Sequence, residues 1–109
     1  MGGRVLIVDD EEDFVRTMAE RMEMRDLGGD VATSGQQALQ MLEDDVPDVM
    51  VLDLLMPGRD GFQLAEDIRL DPDLRDLPLM ILTSSNRPGD RKLAARLHVN
   101  GFLQKPVSR

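Results

Sequence analysis

The stretch VLIVDDEED, residues 5–13, changes abruptly from four apolar residues to five acidic ones. VLIV shows no alternation of polar and apolar residues, which is typical of a strand buried on both faces of a parallel sheet. The acids that follow suit the start of a helix, because a helix N-terminus favours negative charge. Phe14, Met18 and Met22 then recur every four residues and predict the buried side of that helix.

Three further apolar runs predict strands of the same kind, each ending in polar or charged residues. They are DVMVLD at residues 48–53, LMILT at 79–83 and FLQKP at 102–106. The remaining strand, near residues 27–33, alternates only weakly. Because glycine weakens a strand interior, Gly28 and Gly29 predict a weak or irregular strand at an edge of the sheet.

The segments between the strands are predicted to be helical. Ser34 and Gln37 have the spacing of a capping box, so a second helix begins there, and Pro47 ends it. Two more helices are predicted, one through residues 64–68 and one from residue 88 to about residue 97. Strands that alternate with helices indicate βαβ units and a parallel sheet, and 109 residues suit a single domain spanning residues 1–109.

The composition of the chain argues against several classes of protein. The formal net charge of −8 argues against nucleic-acid binding, which needs a basic face. The absence of cysteine excludes disulfides and thiolate metal sites and fits a cytoplasmic location. No apolar run approaches the roughly 20 residues that a membrane-spanning helix needs.

The ends of the predicted strands carry the candidate chemistry. In an open α/β sheet, ligands bind outside the carboxyl ends of the strands, and those ends here are Asp9 with Asp10, Asp53, Thr83 and Lys105. Three carboxylates in one pocket repel one another, and a hard cation such as Mg²⁺ offsets that repulsion. A carboxylate can then act as the nucleophile toward a phosphoryl group, with lysine and a hydroxyl contacting the phosphoryl oxygens.

Each of these residues also has a structural explanation when it is taken alone. Aspartate is common at the N-terminal cap of a helix, so capping the first helix would by itself explain Asp9 and Asp10. Thr83 is common in strands, and Lys105 would be an ordinary surface lysine. The functional interpretation therefore depends on four strand ends meeting at one edge of the sheet.

The chain resembles the response-regulator receiver family of two-component systems in four motifs. They are residues 5–10, the DLLMP of residues 53–57 with Asp60-Gly61, the LTS of residues 82–84, and the FLQKP of residues 102–106. The resemblance implies a flavodoxin-like, doubly wound, five-stranded parallel sheet with strand order 2-1-3-4-5. It also implies that Asp53 is the phosphoacceptor.

The resemblance implies a metal site as well. Asp10 and Asp53 would bind Mg²⁺ (or Mn²⁺) directly, together with the backbone carbonyl of Leu55. Asp9 would act largely through a metal-bound water. A phosphatase with related aspartyl-phosphate chemistry is less favoured, because it carries a second acid where this chain has Leu55. A flavodoxin is less favoured because the acids after the first strand would repel a flavin phosphate.

The resemblance assigns the remaining roles to the other strand ends. Thr83 would be the switch hydroxyl, Lys105 the lysine that pairs with the phosphate, and Phe102 the switch aromatic, which is also a candidate core residue. Leu55 and Ser85 would flank the site and influence the lifetime of the phosphoryl group. The chain is accordingly expected to be a switch that phosphorylates and slowly dephosphorylates itself, rather than an enzyme.

The partners follow from the same resemblance. The phosphoryl group would come from a sensor histidine kinase or a histidine phosphotransfer protein. Only three residues follow Pro106, where the family continues into a fifth helix, so the chain is predicted to be a receiver truncated after the fifth strand. A missing helix would expose apolar sheet and favour a homodimer. The alternative function is a protein-interaction scaffold with impaired signalling output.

Overall fold

A computed structural model describes residues 3–53, 61–83 and 95–104. In chain order the strands and helices are β1 (Arg4–Val8), α1 (Glu12–Glu23), β2 (Gly28–Ala32), α2 (Gly35–Asp44), β3 (Val49–Asp53), α3 (Gly61–Leu70), β4 (Leu79–Thr83) and β5 (Gly101–Gln104). Strands and helices alternate from β1 to β4, as the sequence predicts.

The five strands form one parallel sheet in the order β2-β1-β3-β4-β5. This confirms the predicted fold class and strand order. The order reverses direction at β1, because the chain first moves to β2 on one side and then to β3 on the other. Ligands in doubly wound sheets bind at the carboxyl ends of the strands beside such a reversal.

Alternate residues of β1 enter two hydrophobic cores, one on each face of the sheet. Leu6 and Val8 pack into the larger core, with side chains from α2 and α3, whereas Val5 and Ile7 pack into the smaller one with Val15 of α1. All four side chains of the VLIV run are buried. The run lacks alternation because both of its faces are covered by helices.

The edge strand β2 is more regular than its glycines predict. All five of its residues pair with β1, so the edge position is confirmed and the prediction of an irregular strand is wrong. Close packing explains why residue 29 is a glycine, since a Cβ atom placed there would lie 3.1 Å from the Cα of Ala19 in α1. At Gly28 the nearest such contact is an ordinary 3.7 Å. Gly29 therefore allows α1 to lie close against β2.

The start of α2 matches the capping prediction. The Ser34 hydroxyl accepts a hydrogen bond from the backbone N–H of Gln37 at 3.1 Å, and α2 begins at the next residue, Gly35. The Gln37 side chain reaches back and accepts from the backbone N–H of Thr33 at 2.9 Å, one residue before the cap. The bond to Ser34 satisfies a backbone donor that the first turn of a helix leaves without a partner, and the bond to Gln37 fixes the residue before the cap.

Several predictions fall on residues outside the described ranges. The fourth helix, predicted from residue 88, lies mostly within residues 84–94, and its described end is helical at Ala95 and Arg96. β5 starts at Gly101, one residue earlier than predicted, and residues 105–109 are not described. The absence of a fifth helix therefore stays a prediction. Within the described ranges, each helix is too short or too polar to cross a membrane.

Candidate functional site

The register of the sheet brings the acidic strand ends together at one edge, which we call the carboxyl edge. Val8 of β1 pairs with Leu52 of β3, so the residues that follow in register are Asp9 and Asp53. The backbone N–H of Asp9 donates to the carbonyl of Ala32 at the end of β2, at 3.1 Å. Three neighbouring strands therefore end at the same level, and Asp9 stands at the centre.

Asp9, Asp10 and Asp53 form one cluster of carboxylates. One oxygen atom from each lies within 4.8 Å of the others. Asp9 is fully buried and Asp53 is 8% exposed, whereas Asp10 is exposed. Three negative charges at this separation and burial repel one another, since water screens a buried charge poorly. A buried carboxylate that is still accessible at its rim is suited to react with a group arriving from solvent.

Asp9 also has a structural role at the start of α1, as its alternative explanation in the sequence suggested. One of its carboxylate oxygens accepts a hydrogen bond from the backbone N–H of Glu11 at 3.0 Å. Glu11 is the N-cap of α1 and its own side chain makes no capping bond. Asp9 therefore stabilises the turn into α1, and the same carboxyl group belongs to the acidic cluster.

A cleft of about 600 Å³ lies beside the cluster. It is lined by Asp10, Glu11, Glu12, Asp13 and Thr33. Thr33 was not among the predicted site residues. Thr33 follows the last residue of β2, and the rule that ligands bind at strand ends could have identified it. The weak alternation of β2 obscured where that strand ends, so Thr33 was missed. The Thr33 hydroxyl donates to the Gln37 side chain at 3.2 Å, which ties this wall of the cleft to α2.

The donor atoms of the cluster fit a hard divalent cation. All three are carboxylate oxygens, and Mg²⁺ or Mn²⁺ prefers oxygen ligands, whereas zinc favours histidine and cysteine. A cation placed among these oxygens would offset their mutual repulsion. The cluster can therefore bind a metal through Asp9, Asp10 and Asp53, which are the three acids predicted from the sequence.

The other predicted site residues are described only in part. Thr83 is the last residue of β4 and pairs with Gln104 of β5, so both strands end at the carboxyl edge. Phe102 lies on β5 and is 44% exposed. Leu55, Ser85 and Lys105 lie outside the described residues, as does the side chain of Thr83.

The sequence profile of the response regulator receiver domain matches residues 5–109 of the chain. The response regulator PleD of Caulobacter vibrioides is 35% identical over 107 residues, which are 98% of this chain and 24% of PleD. The chain thus spans about a quarter of the length of that relative.

Solved structures are similar over almost the whole chain. The N-terminal domain of a response regulator receiver protein from Methanoculleus marisnigri is 28% identical, with a TM-score of 0.88, covering 96% of this chain and 85% of that one. The Mn²⁺-bound form of response regulator Rcp1 is 27% identical, with a TM-score of 0.85, covering 97% and 83%.

Proposed function

This chain belongs to the response regulator receiver domain family, and from that premise we propose that Asp53 accepts the phosphoryl group. The donor is the phosphohistidine of a sensor histidine kinase or a histidine phosphotransfer protein. A carboxylate oxygen of Asp53 attacks the phosphorus atom, the bond from phosphorus to the donor's imidazole nitrogen breaks, and that nitrogen takes up a proton. The product is an aspartyl phosphate on Asp53.

The acidic cluster is the observation that supports this proposal. Asp53 ends a central strand, is 8% exposed, and lies within 4.8 Å of the carboxylates of Asp9 and Asp10, measured between the ligand oxygens. Solubility does not explain why two of the three acids are buried. A site that gathers negative charge and then receives a phosphoryl group needs positive charge from outside the cluster.

We propose that Mg²⁺ or Mn²⁺ supplies that charge. Asp10, Asp53 and the backbone carbonyl of Leu55 would hold the ion, with Asp9 acting largely through a water molecule. The ion would offset the negative charge of the transferring phosphoryl oxygens. Rcp1, a related response regulator, was solved in a Mn²⁺-bound form, which supports a divalent cation here. Lys105 would bind another phosphoryl oxygen as a point charge.

The proposed switch connects this site to the exposed side of β5. The Thr83 hydroxyl would donate to the phosphoryl group, and Phe102, which is 44% exposed, would change rotamer in response. Leu55 and Ser85 would influence how long the phosphoryl group persists. The chain would then act as a switch that hydrolyses its own aspartyl phosphate slowly, rather than as an enzyme with an external substrate.

The domain extent, the cellular location and the partners of the chain are also proposals. We propose one receiver domain over residues 1–109, located in the cytoplasm, that acts without binding nucleic acid itself. Self-association as a homodimer stays a prediction, which light scattering that showed a stable monomer would contradict. The scaffold alternative gains no support from the described residues, because all three predicted metal-binding carboxylates lie together.

Phosphorylation by a small phosphodonor tests the proposal directly. The chain is incubated with Mg²⁺ and acetyl phosphate and its intact mass is measured. We expect one phosphoryl group on the unmodified chain and none on Asp53→Asn, which keeps the size of the side chain and removes the nucleophile. Asp73→Asn is the matched control, because Asp73 is an exposed acid in the turn before β4 and should leave phosphorylation unchanged.

Two results would contradict the proposal. One is an unmodified chain that gains no phosphoryl group under conditions in which another receiver gains one. The other is an Asp53→Asn variant that still gains it, since this would move the acceptor to another residue. Omitting Mg²⁺ and adding a chelator should reduce phosphorylation in the unmodified chain.

A further inference from the structure

A second polar cluster lies at the opposite edge of the sheet, where the strands begin, which we call the basal edge. It is centred on Arg69, in the last turn of α3. Its guanidinium donates to four backbone carbonyls: Nε to Leu97 at 2.7 Å, Nη1 to Arg75 at 2.8 Å and to Leu77 at 2.7 Å, and Nη2 to His98 at 3.0 Å. One side chain thus binds four carbonyl oxygens.

These carbonyls come from two separate turns. Arg75 and Leu77 precede β4, whereas Leu97 and His98 precede β5. Helical turns leave their last carbonyls without partners inside the turn, and a cation near a helix end satisfies them well. Arg69 does so for both turns at once. It therefore joins the chain segments that lead into two neighbouring strands.

Asn100 makes a second connection at the same edge. Its side-chain oxygen accepts from the backbone N–H of Leu79 at 2.9 Å, and its own backbone N–H donates to the carbonyl of Leu79 at 2.8 Å. Leu79 is the first residue of β4, and Asn100 immediately precedes β5. We call Arg69, its four carbonyl acceptors and Asn100 the basal clamp.

The turn into β5 contains a strained residue that the basal clamp holds. His98 has a φ of 54°, in the left-handed region, which residues other than glycine seldom adopt. Such a conformation persists where surrounding contacts determine it. Two contacts hold this turn: the hydrogen bond from Arg69 to the His98 carbonyl, and the burial of the preceding side chain, Leu97.

The basal clamp also covers part of the larger core. Leu74, Leu77 and Leu97 are buried there, close to the carbonyls that Arg69 binds. Burial lowers the pKa of the Arg69 guanidinium, and the negative charge of Asp76 opposes that effect. An arginine remains charged at neutral pH, so its hydrogen bonds to the carbonyls are charge-assisted.

The edge strand β5 depends on this anchoring more than the inner strands do. It is four residues long, and in the described sheet it pairs with β4 on one side only. Its last pair, Thr83 with Gln104, lies at the carboxyl edge, and Lys105 is the next residue in the chain. Because a shift in register moves every residue of a strand, the place where β5 starts also determines where it ends.

We propose that Arg69 is a positioning residue for the phosphorylation site. By holding the starts of β4 and β5 together, it fixes the register of β5 and so the level at which β5 ends, immediately before Lys105 in the chain. The inference rests on the role proposed for Lys105 in binding the phosphoryl group. Arg69 itself contacts neither the phosphoryl group nor the cation, since it acts from the other end of the strands.

Amide hydrogen exchange tests the basal clamp without any phosphorylation. We expect Arg69→Gln to speed exchange in β5 and at the start of β4 by about tenfold or more beyond the change in β1 and β3, because hydrogen bonds to a charged group are lost there. Exchange in β1 and β3 should rise only as far as the loss of global stability requires. The matched control is Arg75→Gln, since Arg75 and Arg69 line one cleft at the basal edge, and Arg75 has an exposed side chain and contributes only its backbone carbonyl to the clamp.

The rate of phosphorylation by acetyl phosphate tests the link to the site. We expect Arg69→Gln to slow it by at least about threefold, because a small displacement of a positioning group lowers the rate of transfer. Arg75→Gln should leave the rate unchanged. In a Lys105→Met background, Arg69→Gln should cause no further loss, since two residues that act through one contact are not additive.

The outcomes separate this inference from the proposed function. A rise in exchange that is equal throughout the sheet, or no faster exchange in β5 than in β1 and β3, would overturn the basal clamp. Local exchange with an unchanged phosphorylation rate would make Arg69 a structural anchor without influence on the site. If the unmodified chain were not phosphorylated at all, the proposed function would fail, and with it the role given to Lys105, while the exchange data would still decide whether the clamp exists.

A milder variant covers the case in which Arg69→Gln does not fold. Asn100→Ala removes the acceptor for the N–H of Leu79 and leaves the guanidinium contacts in place. It should produce the same local pattern of exchange with a smaller change. A pattern in Asn100→Ala that spares β5 would count against the inference as clearly as the first experiment.

Discussion

The two edges of the sheet hold clusters of oxygen atoms in opposite ways. At the carboxyl edge, three carboxylates lie within 4.8 Å of one another and their charges repel. At the basal edge, four carbonyl oxygens surround a guanidinium that belongs to the chain. The first cluster gains from an added cation, whereas the second already contains one. Substitutions at the two edges should therefore change stability with opposite signs.

The largest expected effect is at the basal edge. Arg69→Gln should lower the free energy of unfolding by about 2 to 3 kcal/mol, because four carbonyls lose a charged donor and two of these bonds, to Leu97 and Leu77, are partly buried. Urea denaturation of the metal-free chain measures this. Arg75→Gln should stay within about 0.5 kcal/mol of the unmodified chain. Equal losses in the two variants would show that positive charge, rather than the clamp, matters at this edge.

Addition of Mg²⁺ should stabilise the carboxyl edge. At a free concentration about ten times the dissociation constant, binding to the folded state alone adds about 1.4 kcal/mol to the free energy of unfolding. Thermal denaturation at several Mg²⁺ concentrations measures the gain. Asp10→Asn should remove most of it, because the variant lacks one oxygen ligand of the cluster. A gain that persists in Asp10→Asn would place the cation elsewhere.

Loss of an acid at the carboxyl edge should stabilise the chain when no metal is present. Asp53→Asn should raise the free energy of unfolding by about 1 kcal/mol, because it removes one of three mutually repelling charges from a buried site. Denaturation in a chelator measures this, with Asp73→Asn as the exposed control. A destabilised Asp53→Asn would mean that other contacts of Asp53 outweigh the repulsion, and the contrast between the edges would fail.

The smallest expected effect separates hydrogen bonding from packing at the basal edge. Asn100→Ala should lower the free energy of unfolding by about 0.5 to 1 kcal/mol, since the N–H of Leu79 loses its acceptor. Asn100→Asp keeps an acceptor oxygen at nearly the same place and should lose less. If both variants lose the same amount, the side-chain bond of Asn100 contributes little to the clamp.

Much of the fold was predictable because its signals are local. The buried runs at residues 5–8, 48–53 and 79–83 identified three strands within a residue of their observed ends. The pair Ser34 and Gln37 identified the start of α2, since capping involves residues three apart. The prediction for β2 was less accurate, because the reason for Gly29 lies in its contact with Ala19 of α1, which no local pattern reveals.

The acidic site was predictable for a related reason. Parallel strands end at one edge of a sheet, so acids that follow buried runs can be grouped before their positions are known. Asp9, Asp10 and Asp53 were grouped in this way, and the structure brings them together. Arg69 was not identified, because a basic residue in the last turn of a helix is common, and its acceptors come from turns that lie later in the chain.

The sequence by itself determined the alternation of strands and helices, the acids at the strand ends and the resemblance to receiver domains. Those features depend on the order and periodicity of neighbouring residues, which the chain carries whatever its tertiary structure. Only the tertiary structure decided that the carboxyl group of Asp9, which also bonds locally to Glu11, lies beside that of Asp53, that Gly29 admits α1, and that Arg69 joins two turns. Each of these depends on distances between residues that only folding brings within contact range.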